Sequence, residues 1–535
     1  MTLAELLARP FGTVPDMIGF AASQRPEHPA LILNAHTLSY AQLDALIARV
    51  ASSLQRDGFG PGDKIAACAG TSLEYVALFL GALRAGAVMT PLPPTATPQN
   101  LNGMLANSGA RILFQDRACA LNWSTDALVD QGLQRIWIDE TQGPDSWGAW
   151  LSNETQPSPV DTQPDWAFNL IYSSGTTGTP KGIVQPCSMR WSHVQRAATN
   201  GYGPDSVTLT STPLYSNTTL VALLPTLALG GTGILMSKFD ARRYLELAQQ
   251  HRTTHTMLVP VQYQRILDDP EFDRFDLSAF QAKFSTSAPF SAALKAEVLK
   301  RWPGRLTEIY GMTEGGGRCE LEAHNYPHKL HTIGRPASGH DIRLIDDAGQ
   351  EVPQGQTGEI VGSSSAMMAG YYGMPDKTRE VEWFDPAGKR FIRTGDIARY
   401  DEDGFLILAD RKKDMVISGG FNIYPSDLEA ELGQHPEVRD CAVVGVPSRQ
   451  WGETPVAYVV LKPHATVTHD ALLAWVNARL GKTQRLADLV VTDMLPRSEI
   501  GKVLKRELRE RYAAEATAPR PSVEGPATQH LKDPR

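Results

Sequence analysis

The densest run of chemically useful residues is Tyr172–Gly182, YSSGTTGTPKG, with three glycines, five Ser or Thr residues and Lys181. Such a loop is rich in backbone N–H and hydroxyl donors. It can wrap the oxygens of a polyphosphate, and the lysine adds positive charge. It is not a Walker loop, because Lys181 is followed by Gly182 rather than by Ser or Thr. By composition alone it also matches a surface linker. Other candidates lie further along: Tyr310–Glu314 (YGMTE), Thr394–Asp396 (TGD), Asp410–Asp414 (DRKKD) and Gly501–Lys502. Each has a plain local reading. Thr-Glu is an ordinary helix start, Asp396 an ordinary turn aspartate, and Arg411 a solvated linker charge. Lys502 stands near Lys505, Arg506 and Arg509, a pattern usual for a solvated face.

Taken in order and spacing, these motifs resemble the acyl-adenylate-forming superfamily: acyl-CoA synthetases, peptide-synthetase adenylation domains and beetle-type luciferases. The resemblance covers about residues 10–510. It implies a large N-terminal part and a small C-terminal lid joined at a hinge. It also implies two half-reactions, in which acid and MgATP give acyl-AMP and pyrophosphate, and the thiol of coenzyme A then displaces AMP.

Residue by residue, the resemblance assigns the phosphates of ATP to Ser173, Ser174, Gly175, Thr176, Thr177, Gly178 and Lys181. Thr313 is similar to the family threonine that bonds the α-phosphate, and Glu314 to the glutamate that holds Mg2+. Tyr310 counts among the nucleotide-binding residues, and Asp396 resembles the aspartate that accepts the ribose hydroxyls, assisted by Arg411. Lys413 matches the hinge position. Lys502 resembles the lid lysine that reaches the reacting carboxylate, and Gly419 and Gly420 resemble the glycines that approach the pantetheine thiol.

The chemistry agrees with those residue types. Joining a carboxylate to a phosphate brings two anions together, so a site must supply positive charge and fixed donors. The acid is already ionised at neutral pH, so alignment and neutralisation are needed rather than a general base. A hard divalent cation prefers carboxylate and phosphate oxygens, which suits Glu314. Glycine permits the close backbone approach that a thiol would need at Gly419 and Gly420.

The acyl pocket is expected around Tyr215, Ser285–Phe290 and Tyr310–Gly317, with the glycines after Glu314 making room for a bulky or aromatic acid. Many acyl-CoA synthetases carry a histidine where this chain has Ser216, so a gating role at that position is in doubt. Arg318 either binds a second carboxylate on the substrate or forms a surface pair with Glu320.

These residues must be placed by elements that the sequence also suggests. Glu74–Ala85 reads as a buried helix, with Thr71 and Glu74 at capping-box spacing and Gly86 as its C-terminal cap. Val207–Ser211 reads as a strand, and Leu220–Leu235 as a buried helix running into a strand. Turns are expected at Gly355–Gly358 and Asp401–Gly404, and a Ser/Asp-capped helix over Ser426–Leu432. The fold class expected is α/β: layered α/β subdomains and a β-rich portion in a large N-terminal domain, then a small mobile α+β lid. The boundaries are 1–410 for the AMP- and acyl-binding domain, 411–414 for the hinge, 415–512 for the lid and 513–535 for a disordered tail.

Composition excludes several classes. The 535 residues suggest about three or four compact units. A net charge of −8, from 51 basic and 59 acidic side chains, offers no basic excess for nucleic acid. Cys68, Cys119, Cys187, Cys319 and Cys441 lie far apart with no CxxC pair, which suits free thiols in a reducing cytoplasm. No signal peptide is expected, nor stable membrane insertion, since the most apolar stretch is broken by Pro225 and Gly230–Gly231. The partners expected are a small-molecule carboxylic acid, ATP and coenzyme A, with a homodimer the assembly considered.

The reading is an ATP-dependent, AMP-forming carboxylic acid–CoA ligase acting on a fatty or aromatic acid, a cytoplasmic acyl-CoA synthetase of the kind used in fatty acid metabolism. Its rivals are a stand-alone adenylation enzyme that loads a separate carrier protein, and a non-catalytic nucleotide-binding regulator that keeps only the fold. The regulator predicts gaps in the chemical motifs, and none is seen at Lys181, Glu314, Asp396 or Lys502.

Overall fold

The computed structural model describes residues 2–129, 132–173, 180–418, 421–481, 484–498 and 501–517. The chain divides into a large unit, Met1–Leu408 with Glu499–Lys502, and a small one, Ala409–Ser498 with Val503–Arg535. Length alone suggested more units, but the large one gathers three sheets. Among the described residues no helix is long and apolar enough to cross a membrane.

Two of those sheets have parallel centres, the first with both edges antiparallel and the second with one. One has nine strands, with Val207–Thr210, His255–Leu258, Ala282–Ser285 and Arg305–Gly311 near its middle. The other has seven, with Lys64–Cys68 and Val88–Pro91 between Ala167–Ser173 on one side and Ile112–Gln115 on the other. The helices Val14–Gln24, Tyr40–Arg56, Leu73–Arg84, Cys187–Thr199 and Asn217–Ala228 pack on one another between them. A single buried cluster takes Leu31 and Phe284 from one sheet, Ile65 and Phe114 from the other, and Val50, Leu78, Val194 and Leu223 from the helices. Sheets covered on both faces explain why these strands read as short continuous apolar runs.

Local chemistry sets the element ends. The helix Leu73–Arg84 is capped by Ser72, whose Oγ accepts from the Tyr75 N–H at 3.0 Å, so the cap falls one residue after Thr71, and Tyr75 rather than Glu74 holds the third helical position of a capping box. Gly86 follows it at φ +78°, as its C-terminal position requires. Leu220–Leu235 divides into the end of the helix Asn217–Ala228 and the strand Thr232–Leu235.

The third sheet is antiparallel and holds Asp341–Ile345, Gly358–Ser363, Arg390–Tyr400, Glu382–Phe384 and Leu406–Arg411. Asp401–Gly404 turns the chain as expected, with Asp401 Oδ1 accepting from the Phe405 N–H at 2.8 Å. The connection before Gly358–Ser363 holds two turns: one at Asp346–Gly349, where the Gly349 N–H donates to Asp346 O at 3.1 Å, and one next to the expected position, where the Gln356 N–H donates to Pro353 O at 3.1 Å and Gly355 has φ +84°.

The small unit is built on Val438–Ser448 and Gly452–Leu461, paired antiparallel, with Val416–Ser418, Phe421–Ile423 and Asp488–Val491 beside them. Its helix begins at Pro425, a residue preset for the first helical turn. The last helix, Lys505–Thr517, runs past the expected start of the tail at 513. Ala513, Ala514 and Glu515 are strong helix formers, and the first proline comes only at 519. The rest of that expected tail, 518–535, lies outside the described residues.

Candidate active site

The large unit builds a site on the carboxyl ends of its parallel strands, where open α/β sheets place ligands. Ser285 pairs with Glu308, so the segments that follow, Thr286–Phe290 and Tyr310–Gly317, leave the sheet side by side. Thr218 Oγ1 and Ser287 Oγ are 2.9 Å apart, which joins the Tyr215 region to Ser285–Phe290. Ser216 has a local task here: its Oγ caps the helix Asn217–Ala228 by accepting from the Thr218 N–H at 3.3 Å.

Asp396 sits on an irregularity in the strand Arg390–Tyr400. Glu359 lies opposite Ile397 and Val361 opposite Arg393, so one strand advances by two residues while the other advances by four. Gly395, at φ +73°, permits the bulge. Thr394 Oγ1 bonds Ile360 O at 3.1 Å and accepts from the Asp396 N–H at 3.1 Å, which fixes the bulged loop. The result is a buried carboxylate whose Oδ2 accepts from the Tyr310 hydroxyl at 2.7 Å. Burial, and then the neighbouring Asp396 charge, hold the Tyr310 hydroxyl well above the usual tyrosine range, so it stays a donor.

Three and four residues beyond Tyr310 stand Thr313 and Glu314. Glu314 is 9% exposed, and its Oε1 accepts from the Tyr371 hydroxyl at 2.9 Å. Burial and the Glu314 charge raise the Tyr371 hydroxyl above its ordinary range, so the phenol remains protonated. Lys181 Nζ lies 5.0 Å from the centre of the Tyr371 ring. Its strand, Lys181–Pro186, carries Ile183 opposite Tyr371. Lys181, Glu314, Tyr310 and Asp396 are thus drawn to one locus by two tyrosines.

The phosphate loop itself lies mostly outside the described residues. Ser174, Gly175, Thr176, Thr177 and Gly178 belong there, and Ser173 is described only as backbone. Its flanks are set, however, with Ser173 opposite Lys181 and Tyr172 opposite Gly182 in an antiparallel ladder. That hairpin returns Lys181 to the end of the strand Ala167–Ser173. Gly419 and Gly420 also lie outside the described residues.

In the small unit Arg411 ends the strand Leu406–Arg411 and is exposed, as is Lys413 in the turn after it. That turn is held by the Met415 N–H on Arg411 O at 3.0 Å and by Arg509 on Asp414 Oδ1 at 2.8 Å. Lys502, expected on the lid, groups with the large unit; it is exposed and follows Gly501, which has φ +76°.

The glycines after Glu314 serve packing, contrary to the expectation that they open space. A Cβ on Gly316 would stand 2.6 Å from Gly362 O, and one on Gly317 would stand 2.6 Å from Ile342 Cδ1. Gly315 presses equally on the backbone at Ala366. Positive φ at Gly315 (+75°) and Gly316 (+82°) completes the requirement. These glycines let the Glu314 loop lie flat on Gly362 and Ala366, which fixes Glu314.

Sequence reasoning missed a polar layer behind this loop. Gln185 Nε2 donates to Thr313 O at 2.8 Å, while its Oε1 accepts from Arg190. Because a guanidinium only donates, Arg190 settles which way the Gln185 amide faces. Arg318 pairs with Glu320 at 2.5 Å, but inside the protein rather than at the surface, its side chain 17% exposed. The detectable signal was Arg190, His193 and Arg196 at three-residue spacing in the helix Cys187–Thr199, alternating with buried Met189, Trp191, Val194 and Ala197.

The large unit matches the family model described as AMP-binding enzyme over residues 20–372. The model for the AMP-binding enzyme C-terminal domain matches residues 427–502. A feruloyl-CoA synthase of Amycolatopsis is 35% identical over 497 residues, 92% of this chain and 97% of that protein. A fatty acid–acyl-carrier-protein ligase of Streptomyces coeruleorubidus is 30% identical over 512 residues, covering 94% and 96%. The ATP-bound MatB of Rhodopseudomonas palustris superposes with a TM-score of 0.84 at 29% identity, covering 94% of this chain and 99% of its own.

Proposed function

The chain belongs to the AMP-binding enzyme family, and from that premise we propose that it joins an aromatic carboxylic acid to coenzyme A through an acyl-adenylate. The supporting observation is the pair of tyrosine-held carboxylates, Asp396 under Tyr310 and Glu314 under Tyr371, gathered beside Lys181. A buried, oriented carboxylate such as Asp396 suits two adjacent ribose hydroxyls, since a carboxylate presents two acceptor oxygens. Lys181 and the donor-rich loop before it suit the phosphates.

Glu314 is the residue that would hold Mg2+. Its carboxylate is a hard donor already oriented by Tyr371. Among the described residues no cluster of three metal-binding side chains exists, so phosphate and water would complete the shell, as Mg2+ commonly requires. When bound, the ion supplies neutralisation of phosphate charge.

In the first half-reaction the acid's carboxylate oxygen bonds the α-phosphorus and the bond to pyrophosphate breaks. Lys502 is assigned to offsetting the repulsion between those two anions. In the second, the thiol sulfur of coenzyme A attacks the acyl carbon and AMP leaves, with Gly419 and Gly420 assigned to the thiol. The five cysteines stand as free thiols, which supports a reducing, cytoplasmic setting.

The aromatic choice follows the feruloyl-CoA synthase relative. The carrier-protein ligase relative favours a second reading, loading of a separate carrier. Pyrophosphate release over aromatic and fatty acids, with and without coenzyme A, tests both. Free coenzyme A should accelerate AMP release with an aromatic acid. Adenylation that coenzyme A leaves unchanged would favour the carrier, and no pyrophosphate from any acid would defeat the ligase reading.

A further inference from the structure

Behind the Tyr310–Gly317 loop, the large unit holds more positive charge than its neighbours offset. The helix Cys187–Thr199 carries Arg190, His193 and Arg196 along one side, as three-residue spacing dictates. The strand Arg318–Glu322 brings Arg318 and Glu320, two residues apart and therefore on one face. His340 closes the group. Its Nδ1–H donates to Gly316 O at 2.9 Å, and its Nε2 lies 3.0 Å from Arg196 Nη2. A guanidinium can only donate, so Nε2 must accept and the imidazole is neutral. Burial holds His340 down to about 4, which agrees with that tautomer. Arg196 and Arg318 therefore share one carboxylate, Glu320, and Arg190 reaches only the neutral amides Gln185 and Asn169.

Several nitrogens in this group have no hydrogen-bond partner among the described residues: Arg190 Nε and Nη1, His193 Nδ1 and Arg318 Nε. Arg190 is 2% exposed. Burial pulls Arg190 down to about 9 and Arg196 to about 10, and depresses His193 and Arg318 as well. Even so, His193, Arg196, Arg318 and His340 each keep some accessible surface. These four side chains are thus only partly screened from outside. Buried cations without counter-charge are costly, and polar groups left unpaired add to that cost. A ligand oxygen would relieve both.

We infer that this cluster receives an oxygen that carries, or can take up, negative charge at the end of the acid remote from its reacting carboxylate. The inference rests on the ligase reading and deepens it to a substrate class. His340 bonds Gly316, two residues beyond Glu314, so the cluster lies next to the loop that serves the reacting end. Arg318 is the third residue of the group to which the loop leads, and its pairing with Glu320 leaves Nε available. A phenolic hydroxyl and a second carboxylate share the required chemistry. The first would be accepted as a hydrogen-bonded oxygen, the second as a full counter-ion.

The test uses four aromatic acids of one skeleton that differ only at the far position: hydrogen, methyl, hydroxyl or carboxylate. Pyrophosphate release gives kcat/KM for each, and thermal shift of the full chain without ATP gives binding. The hydroxyl or the carboxylate acid should exceed the methyl acid by at least about tenfold in kcat/KM and shift Tm further. Their ranking identifies which source of oxygen the cluster prefers. Arg196→Met and Arg318→Met should each shrink that ratio towards one, and Arg196→Lys should restore part of it. A methyl acid that binds and reacts as well as both oxygen-bearing acids in the parent enzyme overturns the inference, as does a ratio that survives both methionine variants. If no acid releases pyrophosphate but the oxygen-bearing acids still bind better, the ligase reading fails while the cluster assignment holds. Equal binding of all four acids removes the cluster assignment whatever the turnover.

Discussion

Tyr371 donates its hydroxyl to Oε1 of Glu314 at 2.9 Å, and the two residues come from segments 57 positions apart. A short strand, Gly370–Tyr371, paired to Lys181–Pro186, brings that phenol to the carboxylate. The same phenol ring stands beside Lys181. One tyrosine therefore ties the residue assigned to the metal to the residue assigned to the phosphates.

Tyr371→Phe removes only the hydroxyl. It should weaken Mg2+ dependence by about tenfold to a hundredfold, as loss of a group that orients a metal ligand does, while leaving the fold intact. A magnesium titration of pyrophosphate release reads the effect. Glu314→Gln should be more severe. A parent-like titration for both variants would remove Glu314 from metal binding.

Asp396→Asn should raise KM for ATP by about tenfold or more, since hydrogen bonds to a charged acceptor each contribute about 1.5–3 kcal/mol. The penalty should shrink with 2′-deoxyATP, which lacks one of the hydroxyls assigned to Asp396. Tyr310→Phe should give a smaller rise, because it frees an acceptor without removing the charge. An equal penalty with both nucleotides would show that Asp396 does not meet the ribose.

Gln185 and Arg190 should couple strongly. Gln185→Leu leaves the buried Arg190 with only the long contact of its Nη2 to Asn169 Oδ1 at 3.5 Å, so it should cost about 1.5–3 kcal/mol in urea unfolding. Gln185→Leu combined with Arg190→Met should cost less than the sum of the two single changes, because the stranded charge is gone. Strict additivity would show that the two residues act separately.

Lys502→Ala should slow acyl-AMP formation by orders of magnitude, as loss of a principal electrostatic contact does. Supplied with acyl-AMP and coenzyme A, the same variant should still make thioester. Lys413→Pro, at the proposed hinge, should show the reverse pattern. Equal loss of both half-reactions in Lys502→Ala would point to a structural role.

Acid should destabilise the protein from about pH 6.5 downward. Burial holds His255 and His340 near 4 and depresses His193 as well. Between pH 4 and the ordinary histidine value of about 6.5, the unfolded chain binds protons that the fold does not. Stability therefore rises with pH across that window, by at most about 1.4 kcal/mol per pH unit for each group. His340→Asn should flatten the slope in Tm measured from pH 4.5 to 7, and an unchanged slope would assign the acid sensitivity elsewhere.

The sequence by itself determined what is local or what ordered motifs carry. Alternation of apolar helices and strands announced the layered α/β architecture, and Leu220–Leu235 split into helix and strand at Gly230–Gly231, with Pro225 kept inside the helix. Thr313, Glu314, Asp396 and Lys181 were legible because their neighbours in the chain are part of the motif. Tyr371, Gln185, His193, Arg196 and His340 were not, because each acts on a partner distant in sequence through a pairing that no local pattern encodes. The glycines after Glu314 show the same limit. Their number was visible, but whether a missing side chain opens a pocket or admits a neighbouring backbone depends on what lies across from it, and only the packing of Gly362 and Ala366 decided that.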